Sequence, residues 1–273
     1  TRFAPSPTGL LHIGHVYSLV CSYEFAKKNN GIFILRIEDI DFTRCKNLFI
    51  EQIIDDINWL KIPFKRTNNQ SLRTKQYSKA LDYLKDKDLV YACWLTRKEA
   101  SSTLNAPHNH ISQNASLRVN DQELKNRKSL GLTPAWRLNI KNCLKYINSQ
   151  KEKIYWEDIK QGKNLLNLDQ FGDVIIARKD ILTSYHLSVT VDDNSDGVTH
   201  IIRGNDLESY TNIHRLLQVL LNLRETKWFH HKLVKDTNGK RIAKRSNSNL
   251  TIKELRKNGY SAKEVIKLAK SST

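Results

Sequence analysis

The apolar positions of this chain change period several times, and each change marks an element. Ile13, Val16, Leu19 and Val20 recur at helical spacing, while Ser18, Ser22 and Glu24 fall mostly off that face, which predicts a helix from about His12. Ahead of it, Pro5-Ser-Pro7-Thr-Gly9 predicts a forced turn, because proline fixes φ and glycine permits φ > 0. Arg2 to Ala4 read as the end of a strand feeding that turn. Ile32 to Ile37 is a short β-branched run ending in Glu38-Asp39-Ile40-Asp41, a second strand. Leu48 to Leu60 carries Ile50, Ile53, Ile54, Ile57 and Leu60 as one stripe, a second helix. Strand, helix, strand, helix in this rhythm is a βαβ unit, hence a parallel sheet with a right-handed crossover.

Tyr77 to Lys87 continues as a helix and Leu89-Val90-Tyr91 as a short strand. Between about Thr103 and Thr133 the chain turns polar and rich in Asn and Ser, which predicts a loop-rich insertion. Ala135 to Ile140, Lys153 to Asp158 and Asp173 to Arg178 read as strands. Leu187-Ser-Val-Thr-Val191 is expected as a buried strand ending in Asp192-Asp193, and Val198 to Gly204 as another ending in Arg203-Gly204. Asp206 is then expected to cap a helix running to about Leu223, with Leu207, Ile213, Leu216, Leu217 and Leu220 inward. Ala262 to Lys270 is a weakly helical stretch near the end. The pattern predicts an α/β fold: a split Rossmann-like parallel sheet with an inserted α+β subdomain and a short basic helical C-terminal segment. The expected divisions are 1–86 and 182–235 for the two halves of the sheet domain, 87–181 for the insert and 236–273 for the tail.

Composition narrows the partners. Only 39% of the 273 residues are hydrophobic and no apolar run is long, so no membrane-spanning segment is expected. Net charge is +17, and from Arg224 to Thr273 there are 14 Lys and Arg against 4 Asp and Glu, a local +10. Such a basic face attracts polyanions, nucleic acid foremost. Cys21, Cys45, Cys93 and Cys143 show no paired spacing, which predicts free thiols in a reducing compartment, the cytoplasm. The sequence holds no methionine, so the chain is expected to begin somewhat after its initiator.

The chemistry concentrates at predicted strand ends. A strand–turn–helix whose helix opens on His12-Ile13-Gly14-His15 puts backbone amides, the positive helix end and two imidazoles at one spot, which suits a nucleotide triphosphate. Gly14 removes a Cβ from the first turn, so that a flat base or ribose can lie against the backbone. Arg2, Arg203 and Glu38 supply two cations and one anion, guanidinium groups hold carboxylates bidentately, and the Tyr185 hydroxyl is a further donor. Asp236 to Ser246 combines a turn with the basic pentapeptide Arg241-Ile242-Ala243-Lys244-Arg245.

His12-Ile13-Gly14-His15 resembles the signature of class I aminoacyl-tRNA synthetases, and Arg2-Phe3-Ala4-Pro5-Ser6-Pro7-Thr8-Gly9 narrows the likeness to the glutamyl and glutaminyl branch. The resemblance implies that His12, Gly14, His15, Arg241 and Lys244 bind ATP, entering with Mg²⁺, and that His12, His15 and Lys244 are catalytic. It implies that Arg2, Ala4, Ser6, Glu38, Tyr185 and Arg203 bind L-glutamate. The pentapeptide resembles the family's lysine loop, with Arg241 in place of its first lysine and Ala243 in place of its serine, so activity is expected and its rate is open. Relatives hold zinc near a Cys-x-Cys. Here Cys93 stands alone with Leu95 at the second place, and His108 and His110 lie in a polar loop, so neither zinc nor another resident metal is expected.

Only 28 residues follow Arg245. Together with the run Tyr185 to Asp193, that shortness resembles a compact branch lacking the anticodon-binding domain. The branch resemblance implies tRNA-independent activation of glutamate and its transfer to the queuosine base in the anticodon of tRNA(Asp), with the anticodon stem-loop as the RNA gripped and the protein a monomer. Three alternatives stand beside it: a truncated glutamyl-tRNA synthetase charging tRNA(Glu), a non-catalytic tRNA-binding paralogue, and a nucleotidyltransferase with a non-RNA acceptor.

Overall fold

The computed structural model describes residues 1–96, 99, 119–149, 153–181, 183–235 and 250–272. β1 (Arg2–Phe3) leads through the proline turn into α1 (Ile13–Lys28), then β2 (Ile34–Leu35), α2 (Asn47–Trp59), β3 (Lys65–Arg66) and α3 (Thr74–Asp86). The three strands pair in parallel in the order β1-β2-β3. Beyond β1 and β2 the chains stay in register, with Arg36 N donating to Phe3 O and Glu38 N to Pro5 O, both at 3.1 Å. That alignment sets Glu38 beside the Ala4–Ser6 turn.

The second half forms its own sheet, parallel except for one edge strand. β9 (His200–Gly204) pairs with β10 (Lys227–His231), and β10 with β6 (Tyr155–Asp158), which forms a hairpin with β7 (Gly162–Leu165). Ile34 of β2, Trp156, Val198, Ile201 and Trp228 form one buried cluster across the two halves. A separate antiparallel sheet, β4 (Val90–Cys93), β5 (Ala135–Leu138) and β8 (Ile175–Ala177), carries α4 (Asp121–Ser129) and α5 (Ile140–Ser149). No helix among the described residues is long and apolar enough to cross a membrane.

Four expectations need correction. Leu187 to Val191 is not a strand. It lies in α6 (Tyr185–Ser195), capped by Ser184, and Asp192 and Asp193 are its third turn and not strand ends. Leu187 to Asp193 are all buried, so the run has no polar face, and a short apolar run of this kind reads alike as a strand or an enclosed helix. Ser188 and Thr190 tolerate that setting by donating to the carbonyls four residues back, at 2.9 and 2.8 Å. Asp206 caps no helix: its carboxylate folds over Gly204, and α7 (Thr211–Leu220) starts five residues later after a 3₁₀ turn. The polar stretch before Thr133 contains α4, which buries none of its side chains and so shows no apolar period; Thr103 to Arg118 lie outside the described residues. The strand expected through Ile140 stops at Leu138, where Asn139 accepts from the Asn142 amide at 3.1 Å and opens α5.

The basic tail folds back on the first half. α8 (Ile252–Lys257) and α9 (Ala262–Ser271) place Ile252, Leu255, Val265 and Ala269 in the same core as Val16, Leu19 and Val20 of α1. Ile252 N donates to Leu11 O at 2.9 Å, and Thr251 bridges to His12.

Candidate active site

α1 begins with two imidazoles that cap each other's backbone. His12, extended at φ −118°, accepts at Nδ1 from the Gly14 amide at 3.1 Å, and His15 accepts at Nδ1 from the His12 amide at 3.1 Å. Their ring centroids are 3.8 Å apart. Because both Nδ1 atoms are acceptors, the neutral rings carry their protons on Nε2. Each is then a donor at Nε2 without needing a positive charge. A Cβ on Gly14 would stand 3.0 Å from His12 Cε1, so any side chain there would press the cap ring back from the turn.

Arg2, Ala4, Ser6, Glu38, Tyr185 and Arg203 all line a single cavity of about 420 Å³, together with His15, Gly204 and Leu207. They arrive from β1, its turn, the segment after β2, the start of α6 and the end of β9. Arg2, Glu38 and Arg203 are each at least nine-tenths buried. Arg241 and Lys244 lie outside the described residues, as do His108 and His110. Among the described residues no group of three or more His, Cys, Asp or Glu stands where it could hold a metal ion.

Arg2 is held by Asp193, with Nε 3.2 Å and Nη2 3.4 Å from its two oxygens. Asp193 also accepts from Arg36 at 2.7 Å, and Arg36 reaches Asp196 at 3.0 Å and Glu38 at 3.4 Å. Arg73 joins through Asp196 at 2.8 Å and Asp192 at 3.4 Å, while Gln70 and Tyr77 donate to Asp192 at 2.7 and 2.9 Å. Here four carboxylates (Glu38, Asp192, Asp193, Asp196) face three guanidiniums (Arg2, Arg36, Arg73), an excess of one negative charge in a buried cluster. Burial raises the Glu38 carboxyl to about 7 against the opposing pull of Arg36 and Arg2, and burial also raises Asp192 above its ordinary value. Burial would raise Asp193 too, but Arg2 and Arg36 outweigh it and hold it below its ordinary value.

Arg203 is fixed from three sides. Its Nη2 donates to Thr211 Oγ1 at 2.7 Å and Leu207 O at 3.1 Å, its Nη1 meets His214 Nδ1 at 2.9 Å, and its Nε meets His230 Nε2 at 3.4 Å. His230 Nδ1 in turn lies 2.9 Å from Asp158 Oδ2. Sequence reasoning found the lining residues but not these supports. His214, Thr211, His230 and Asp158 sit on α7, β10 and β6, and no motif or spacing links them to Arg203; the His230-His231 pair was the nearest signal. Arg36 and Arg73 were missed because each reads as one basic residue in a basic chain.

Residues 1–270 match the family of class I tRNA synthetases (E and Q), catalytic domain, and the chain belongs to that family of ligases, whose fold binds ATP. It is similar to the Glutamyl-Q tRNA(Asp) synthetase of Rhodobacter capsulatus, 36% identical over 277 residues that cover 98% of each protein. Glutamate–tRNA ligase 2 of Brucella melitensis is 33% identical over 273 residues, which are 98% of this chain and 60% of that one. A crystal structure of a glutamate tRNA ligase from Elizabethkingia meningosepticum, in complex with its amino acid, superposes with a TM-score of 0.73 at 26% identity, over 91% of this chain and 52% of that one. The chain thus spans only part of the length of the tRNA ligases it matches.

Proposed function

We propose that this chain activates L-glutamate with ATP, without tRNA, and transfers it to the queuosine base in the anticodon of tRNA(Asp). The observation that carries the glutamate half is the cavity: two buried guanidiniums and one buried carboxylate, at a volume suited to a small amino acid, complement a substrate with two carboxylates and one ammonium. The acceptor half rests on the end-to-end match to the Rhodobacter protein.

In this reading Arg2 and Arg203 take the two carboxylates, Tyr185 donates to one of them, and Glu38 takes the ammonium once it is ionised. Ala4 and Ser6 form the wall beside the backbone. ATP enters as its Mg²⁺ complex, the cation travelling with the substrate and sharing the triphosphate charge. His12 and His15 donate through Nε2 to the phosphates, Gly14 keeps the approach open, and Arg241 and Lys244 bind the triphosphate. A glutamate carboxylate oxygen attacks the α-phosphorus, the bond to the bridging oxygen breaks, and pyrophosphate leaves with its charge held by His12, His15 and Lys244. No general base is needed, since the nucleophile is already anionic; catalysis is positioning and electrostatics. A hydroxyl of the acceptor then attacks the mixed anhydride and AMP departs. The protein works as a cytoplasmic monomer, gripping the anticodon stem-loop by shape and a splayed base.

The test is incubation with ATP, labelled glutamate and tRNA(Asp) with or without queuosine. Label is expected only on the queuosine-containing RNA, with glutamate-dependent pyrophosphate exchange in the absence of any tRNA. Label on unmodified tRNA(Glu) would refute the acceptor, and loss of exchange under every condition would refute activation.

A further inference from the structure

The histidines behind Arg203 form a chain whose proton positions are dictated by one fact: a guanidinium only donates. Since Arg203 Nη1 lies 2.9 Å from His214 Nδ1, that nitrogen must be the acceptor, and neutral His214 carries its proton on Nε2. His214 Nε2 is 3.1 Å from His186 Nδ1, so it donates there, and His186 in turn carries its proton on Nε2. On the other side His230 Nε2 faces Arg203 Nε and Thr211 Oγ1 as an acceptor, with the proton on Nδ1 toward Asp158. A proton on His214 Nδ1 would set N–H against N–H between two buried groups, and a doubly protonated ring would add cation against cation.

We propose that His214 and His186 are positioning residues for amino-acid selection: a neutral pair of fixed tautomer that, opposite the His230–Asp158 pair, locks the Arg203 guanidinium in one orientation. The inference deepens the glutamate site proposed above and rests on it. Arg2 is held in its turn by both oxygens of Asp193. With both guanidiniums held, a dicarboxylate one methylene shorter than glutamate should engage the pair less well. The groups facing His214 are Arg203 from β9, His186 and Tyr185 from α6, Arg2 from β1 and His230 from β10. His186 faces His214, Arg203 and the Tyr210 ring, whose centroid is 5.0 Å away. Burial and the Arg203 charge hold His214 well below its usual range and His186 at about 4, which keeps both neutral near pH 7.

Two measurements test this. Long-range ¹H–¹⁵N correlation on histidine-labelled protein without substrate, assigned by difference with H214Q and H186Q, should show both rings neutral and protonated on Nε2 at pH 7. A charged ring, or His214 protonated on Nδ1, overturns the proposal while leaving glutamate activation untouched. In pyrophosphate exchange, H214L should raise the KM for glutamate about tenfold or more, change kcat and the KM for ATP less than about threefold, and narrow the preference for glutamate over aspartate. H214Q, whose amide oxygen accepts and whose nitrogen donates, should recover most of the loss. An unchanged glutamate KM in H214L, a parallel loss in kcat and ATP affinity, or no rescue by H214Q overturns it. Absent exchange in the wild type, with the expected tautomers in place, would instead overturn the functional reading.

Discussion

Glu38 gives the most direct handle on the site, because burial has moved its titration into the range where enzymes are assayed. With its carboxyl at about 7, the ionised fraction rises from about one-tenth at pH 6 to about nine-tenths at pH 8. In the proposed site only the ionised form pairs with the substrate ammonium, and glutamate's own three charges stay constant over that window. The KM for glutamate should therefore be about tenfold higher at pH 6 than at pH 8, while the KM for ATP stays nearly flat. The E38Q variant should bind glutamate weakly at both values and lose the slope. Stability runs the other way. A carboxyl raised from 4.5 to about 7 costs the folded state nothing below the lower value; the cost grows as pH rises and is complete above about 7. At pH 8 it amounts to about 3 kcal/mol, so E38Q should melt higher than wild type at pH 8, less whatever Arg36 loses when its 3.4 Å partner becomes neutral. Pyrophosphate exchange across pH 6–8 and thermal melts at pH 5 and 8 read both effects. A wild-type glutamate KM that does not change with pH, or an E38Q slope equal to wild type, refutes the assignment of Glu38 to the ammonium.

Three further outcomes follow from the same geometry. D193N strips the shared carboxylate from Arg2 and Arg36 in a buried cluster, and should lower unfolding free energy by about 3 kcal/mol in a denaturant titration and raise the glutamate KM; unchanged stability would show that the cluster does not depend on it. G14A drives a methyl to within 3.0 Å of His12 and should cut kcat at least tenfold in pyrophosphate exchange while calorimetric glutamate binding is retained; equal loss of both would point to a collapsed turn. K244A should abolish adenylate formation and leave tRNA affinity in filter binding largely intact, and a matched fall in both would contradict its assignment to the triphosphate.

The sheet, the turn and α1 were legible because their residues obey local rules: the proline–glycine turn, the apolar stripe of α1 and α2, and the β-branched run before Glu38. The cavity lining was legible because a motif names residues at fixed offsets, and Arg2, Glu38, Tyr185 and Arg203 do meet in one cavity. α6 was not, since a helix buried on every side has the same composition as a buried strand. β10 was not, because Lys227 to His231 mixes charge, aromatics and two histidines without alternation, although three of its side chains are buried. The supports of Arg203 escaped for a different reason. They come from three elements separated by up to 72 positions, as Asp158 and His230 are, and pairing at that distance leaves no trace in spacing.

The return of the basic tail onto α1 has a consequence for the start of that helix. The Lys235 amide, just after β10, donates to Ser272 O at 3.0 Å, and Thr251 and Ile252 pair with His12 and Leu11. The entropy of bringing these distant parts of the chain together is settled when the protein folds, not when a ligand arrives. The last two helices thus brace the turn that carries His12, and loosening them, for instance at Val265 or Ala269, should free that turn without altering a side chain of the cavity.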